Sequence, residues 1–120
     1  MKKDPSQIEE FTQQLLQFFA EREWGKFHSP KNMVMNLSVE VGELTEHFRW
    51  LTEEASYLKP SQTLDEVRDE IGDVFKAIVY LAHRLGIDPI QAAEEKLQKM
   101  GQKYPVEGCY GKAVKYTNYQ

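Results

Sequence analysis

Residues 37–48 read LSVEVGELTEHF and residues 64–81 read LDEVRDEIGDVFKAIVYL. Each stretch sets a pair of acids among apolar residues. The first pair is Glu40 and Glu43, the second Glu70 and Asp73. Both pairs are spaced i, i+3, which on a helix points both carboxylates the same way, one turn apart. The apolar residues around them recur at helical spacing: Val41 and Leu44 in the first stretch, Val67, Ile71, Val74 and Ile78 in the second. Two amphipathic helices, each carrying acids among its apolar residues, predict an all-α fold with the carboxylates facing one another. Four such carboxylates repel unless a cation sits among them, and hard oxygen donors suit Mg²⁺ or Mn²⁺. The plain alternative is that acids at this spacing decorate a solvated helix face. Gly42 and Gly72 lie inside the two motifs. Glycine costs a helix interior about 0.5–1 kcal/mol against alanine, so a close approach of two helices is expected there.

Working outward, four helices are legible. Asp4 can cap the first, with Pro5 at its first position, and Ile8, Phe11, Leu15, Phe18 and Phe19 form its stripe. Trp24 to Ser29 reads as a loop, after which Ser29 caps a second helix that starts at Pro30. The apolar face of this helix is Met33, Val34, Leu37, Val41, Leu44 and Phe48. Residues 52–62 form a polar connection. The third helix carries Leu64, Val67, Ile71, Val74, Ile78, Leu81 and Leu85, and Gly86 closes it. Asp88-Pro89 opens a fourth that runs to about Lys103, where Pro105 stops it. The expected architecture is a four-helix bundle core over residues 1–105, followed by a C-terminal tail, 106–120, without a clear period.

With 120 residues the chain has room for one such domain, and 41% hydrophobic with 28% charged residues is an ordinary globular composition. A net charge of −4 lacks the basic footprint of a nucleic-acid binder. The lone Cys109 cannot form an internal disulfide and fits a reducing compartment. The start MKKDPSQIEEF has no apolar core for a signal peptide, and no apolar run reaches the roughly 18 residues of a membrane span. A cytoplasmic protein with no membrane partner is expected. Di-iron bundle chemistry is excluded by its own motif. Glu-x-x-His is required, and Leu44 and Tyr80 stand three residues before His47 and His83.

The stretch FFAEREWGKFHSPKNMVMNLSVEVGELTEHFRW, then DEIGDVFKAIVYLA, then KYP, resembles the MazG-like all-α NTP pyrophosphohydrolases, and within them the dCTP pyrophosphatase branch. The resemblance runs from about Phe18 to Tyr104, with an echo at Lys115-Tyr116-Thr117. It implies Mg²⁺-dependent cleavage of a nucleoside triphosphate to a monophosphate and pyrophosphate, by a homodimer or homotetramer. It implies that Glu40, Glu43, Glu70 and Asp73 bind metal, and that Trp24, His28 and Trp50 line a base pocket. Lys96, Lys103 and Tyr104 match its phosphate-contacting region, and Lys115 falls in a tail that can act as a lid. Two positions depart from the branch: Ala77 stands where a Tyr is usual, and Met100 where an Asn is usual. The first bears on the pocket floor and so on base or sugar preference, the second removes a polar contact near the metal or phosphates, and neither touches the four acids.

The chemistry follows from charge. A triphosphate meets an acidic protein only through cations, which neutralise both and stabilise the leaving pyrophosphate. No Ser or Cys stands with a base, so a water is the expected nucleophile, with Glu43 or Glu40 taking its proton. Trp24, Phe27 and Trp50 can stack on a base and His28 can hydrogen-bond its edge; core packing is the alternative for each aromatic. The favoured substrate is dCTP or a modified dCTP, with a broader dNTP, dUTP or noncanonical NTP range as the variant reading. The rival from another class is a non-catalytic helical module that binds a nucleotide or a metal. It is disfavoured because such a module has no use for clustered carboxylates.

Overall fold

The structure is a computed structural model and describes residues 6–113. Five α-helices follow in order: α1 (Gln7–Glu21), α2 (Pro30–Glu46), α3 (Gln62–Arg84), α4 (Pro89–Lys103) and α5 (Val106–Cys109). Single 3₁₀ turns stand at Trp24–Phe27 and Ala55–Tyr57. The fold is all-α, and no strand occurs among the described residues.

Local chemistry sets the helix ends. α1 starts two residues later than Asp4-Pro5 suggests. Ser6 is its cap, and the Ser6 hydroxyl and the Glu9 carboxylate close a reciprocal capping box. Asp4 and Pro5 lie outside the described residues. Ser29 accepts from the Asn32 N–H and Pro30 opens α2, as expected. α3 ends in a Schellman turn, with Gly86 at φ +68°, its N–H on His83 and the Ile87 N–H on the Ala82 carbonyl. Asp88 caps α4 through its carboxylate, with Pro89 at the first position. The segment expected to be a loop is instead largely the 3₁₀ turn Trp24–Phe27, entered through Glu23 at φ +53°.

The chain divides into two compact units, Met1–Ile87 and Asp88–Gln120. In the first, α3 packs along α2 and against α1. Its centre is Leu15, Met33 and Tyr80, with Phe11, Leu16, Phe19 and Leu81 around them. The buried face of α3 differs from the one its large aliphatics mark. Val67, Ala77, Val79, Tyr80 and Ala82 are buried, whereas Ile71, Ile78 and Leu85 are exposed. Likewise α2 buries Met33 and leaves Val34 and Val41 open. The reason is that both helices are apolar on more than one side. The side of α3 that is buried carries two valines, two alanines and a tyrosine. The second unit holds α4 and α5, and its described residues include none that is buried.

Gly42 and Gly72 do not mark a close helix crossing among the described residues. A Cβ added at either would meet nothing within 4 Å. Among the described residues, no helix is long and apolar enough to cross a membrane.

Candidate functional site

α2 and α3 run antiparallel, so acids in the second half of α2 meet acids in the first half of α3. One carboxylate oxygen from each of Glu40, Glu43 and Glu70 lies within 4.8 Å of the others. Asp73, one turn beyond Glu70, accepts a hydrogen bond from Lys76 Nζ at 3.2 Å. The electrostatics are those of crowded negative charge. Glu40 is pushed up to about 7, first by burial, then by the negative charges of Asp73 and Glu43. Glu70 is also raised, again first by burial and then by its carboxylate neighbour Glu43. Glu40 Oε2 and Glu70 Oε2 are buried with no hydrogen-bond partner. Buried carboxylate oxygens without donors are costly. A divalent cation satisfies both, so this donor set fits such an ion.

The same helix pair continues into a cavity of about 340 Å³. Phe19, Trp24, Phe27, His28 and Tyr80 form its aromatic wall, and Asn32, Asn36 and Lys76 add polar ends. The rings interlock edge to face. Phe19 lies 4.4 Å from His28 and 4.8 Å from Tyr80, centroid to centroid, and His28 lies 5.1 Å from Tyr80. Burial, and then the Arg84 guanidinium, hold the His28 imidazole below its usual range, so the ring is neutral near pH 7. Its Nδ1 is buried without a partner. Such an atom can recognise a hydrogen-bonding ligand. Ala77, which the sequence marked as a departure, lines the cavity and is itself buried.

Arg84 fixes this wall to α3. Its Nε donates to the His28 carbonyl at 3.2 Å, and its Nη2 to the Gly25 carbonyl at 2.8 Å. Asn32 Nδ2 adds a bond to the Phe27 carbonyl at 3.0 Å. Arg84→Ala is expected to cost roughly 1.5–3 kcal/mol, the range for hydrogen bonds that involve a charged group. The freed turn then exposes Trp24 further. Thermal melting and the tryptophan emission maximum check this. Trp50 is already open to solvent, so a red shift reports on Trp24, and no change in either readout counts against the role of Arg84.

The structure thus brings together Glu40, Glu43 and Glu70, with Asp73 beside them, and places Trp24 and His28 in the cavity. Trp50 stands apart from the cavity at 81% exposure, with the Arg49 guanidinium 4.5 Å over its ring, so it is not core either. Lys96 and Lys103 lie on α4, and Tyr104 is its C-cap, all in the second unit. Lys115 lies outside the described residues. Asn32, Asn36, Lys76 and Tyr80 were missed as cavity residues. Their signal was helical phase: Asn36 is one turn from Glu40, Lys76 one turn from Asp73, and Tyr80 one turn further.

A carboxylate cluster and an aromatic cavity side by side on one antiparallel helix pair define a class, and the sequence agrees with it. A family model described as the MazG-like family matches residues 35–118. The chain belongs to the MazG-like family. Among similar proteins, dCTP pyrophosphatase 1 of Mus musculus is 39% identical over 104 residues, 85% of this chain and 61% of that protein. The Homo sapiens dCTP pyrophosphatase 1 is 34% identical, over 84% of this chain and 61% of that one. The chain therefore spans about three fifths of the length of these relatives. A crystal structure of a pyrophosphatase from Archaeoglobus fulgidus superposes with a TM-score of 0.77 at 33% identity, covering 88% of this chain and 98% of that one.

Proposed function

We propose that the protein is a Mg²⁺-dependent nucleoside triphosphate pyrophosphohydrolase that cleaves dCTP, or a modified dCTP, to the monophosphate and pyrophosphate. The observation that carries this reading is the adjacency of the Glu40–Glu43–Glu70 cluster and the cavity walled by Trp24, Phe27, His28 and Tyr80. The names of the relatives supply the substrate class, and the cavity is consistent with it. A neutral imidazole and two Asn side chains offer both donors and acceptors to a base edge.

Glu40, Glu43, Glu70 and Asp73 hold the cation. When bound, it neutralises phosphate charge and makes a coordinated water more acidic. The chain's own part is to bind and orient. Aromatic rings grip the base, and the nucleophile is a water whose proton passes to Glu40 or Glu43. Fixing the base in the cavity sets how far the phosphates reach along the α2–α3 groove, which makes the scissile bond a matter of position.

A second copy of the chain belongs to this reading, as a homodimer or a homotetramer. Val34, Met35, Val39 and Val41 on α2, and Ile71, Phe75 and Ile78 on α3, are exposed, more apolar surface than two neighbouring helices of a monomer usually show. The cytoplasm, where the nucleotide pool lies, is the compartment this activity requires.

Product analysis tests the function. The protein is incubated with each common dNTP, dUTP and 5-methyl-dCTP, with Mg²⁺ or a chelator, and products are separated by anion exchange. Monophosphate and pyrophosphate, formed only with Mg²⁺ and fastest from cytosine nucleotides, are expected. A different preferred base would keep the reaction and reassign the substrate to the broader dNTP or dUTP reading. Binding without turnover would favour the non-catalytic module.

A further inference from the structure

We propose that Lys76 is a substrate-binding residue whose ammonium meets the first phosphate of a nucleotide seated in the aromatic cavity. This rests on the reading above, in which the cavity takes the base and the carboxylates take the cation-bound phosphates.

The argument is one of layers. On α3, Glu70, Asp73, Lys76 and Tyr80 follow at intervals of three and four residues. On the antiparallel α2, Glu43, Glu40, Asn36 and Met33 follow at the same intervals. With about 1.5 Å of rise per residue, Lys76 lies some 4.5 Å along the axis from Asp73 and roughly 6 Å from Tyr80. Lys76 and Asn36 thus occupy the layer between the carboxylates and the deepest aromatic ring. A ligand with its base against Tyr80 and its distal phosphates at Glu40 and Glu70 passes its sugar and first phosphate through this layer.

The chemistry of the layer fits an anion. His28 is neutral near pH 7, which leaves Lys76 as the cation among the residues that line the cavity. Ala77 beside it is too short to fill the space. A lysine ammonium has three N–H donors, and Asp73 takes one at 3.2 Å. Two remain for phosphate oxygens. The plain alternative is an i, i+3 ion pair of the kind found on many helix surfaces, worth little by itself. The position of Lys76 on the cavity wall is what separates it from such pairs.

Isothermal titration in Mg²⁺ tests the proposal with three probes: a deoxynucleoside, its monophosphate, and its α,β-imido triphosphate. All three carry the base that the wild-type protein turns over fastest. Lys76→Met is expected to weaken the monophosphate and the triphosphate analogue roughly tenfold or more, as loss of a charge-assisted hydrogen bond does. Affinity for the deoxynucleoside stays the same, and Lys76→Arg restores most of the loss. Unchanged affinity for all three probes would make Lys76 a surface ion pair. An equal loss for the deoxynucleoside would place it against the base, and either result overturns the proposal. A wild-type protein that binds none of the three would refute the reading of the cavity itself, and that failure appears before any variant is made.

Discussion

Replacing Glu40 with Gln is expected to abolish nucleotide turnover and, in the same protein, to raise the melting temperature of the metal-free fold. The two effects have one cause. Glu40 is held at about 7 by burial and by the charges of Asp73 and Glu43, so its ionised form is a burden on the fold. Glutamine removes that charge, and its amide can donate to the remaining carboxylates. Allowing for the partial solvent exposure of the side chain, the gain at pH 8 is roughly 1–2 kcal/mol. The same change removes an anionic donor for the cation and one of the two candidate proton acceptors, for a loss of turnover of roughly 10²–10⁴-fold. Glu43→Gln should lose turnover comparably while the circular dichroism of the fold is kept. Calorimetry without metal and single-turnover assays with Mg²⁺ read the two effects. Glu40→Gln with full activity would remove Glu40 from the site. A melting temperature that drops in the variant would show that the cluster stabilises the fold.

The second expected result is a reversal of pH dependence by the cation. A carboxyl whose pKa is higher folded than unfolded keeps more protons in the folded state. For Glu40 the two values are about 7 and 4.5. Its contribution to stability is therefore full below about 4.5, falls as pH rises towards 7, and levels off above. Glu70, raised for the same reasons, adds in the same direction. Cation binding needs the ionised forms, so the melting-temperature increment produced by Mg²⁺ should grow with pH and level off above about 7. A chelator should erase both the increment and the activity. The difference between wild type and Glu40→Gln isolates the contribution of Glu40 from those of the other acids of the chain. An increment of the same size at pH 5.5 and pH 8, or one kept in full by Glu40→Gln, would mean that Mg²⁺ binds elsewhere.

Much of this site could be read one helix at a time. A spacing of i, i+3 fixes direction on any helix, so Glu40 with Glu43 and Glu70 with Asp73 were legible before any packing was known. Caps and breakers act over a few residues, which is why Ser29-Pro30, Gly86 and Asp88-Pro89 bound their helices as expected. Asp4 misled because Ser6 competes for the same role and has Glu9 three residues on to complete the box. Trp50 lies outside the cavity of the single chain, and a tryptophan at a helix end looks the same in sequence whether it lines a cavity or faces outward. The aromatic wall was only half visible. Trp24, Phe27 and His28 stood out by type, but Phe19 read as an ordinary stripe residue and Tyr80 fell outside the stripe marked on the third helix.

The sequence by itself determined the class of fold, the helix borders for the most part, and the four acids with the direction each pair takes on its helix. Each of these depends on short-range order along one helix. Tertiary structure alone decided which face of α3 is buried, because both of its sides are apolar enough to pack. It also decided that Glu40 and Glu70, thirty residues apart in the chain, share one carboxylate cluster. The same packing brought Arg84 to the carbonyls of Gly25 and His28, and put Lys76 on the cavity wall. These are contacts between helices, whose free energies depend on distance and burial that no local pattern encodes.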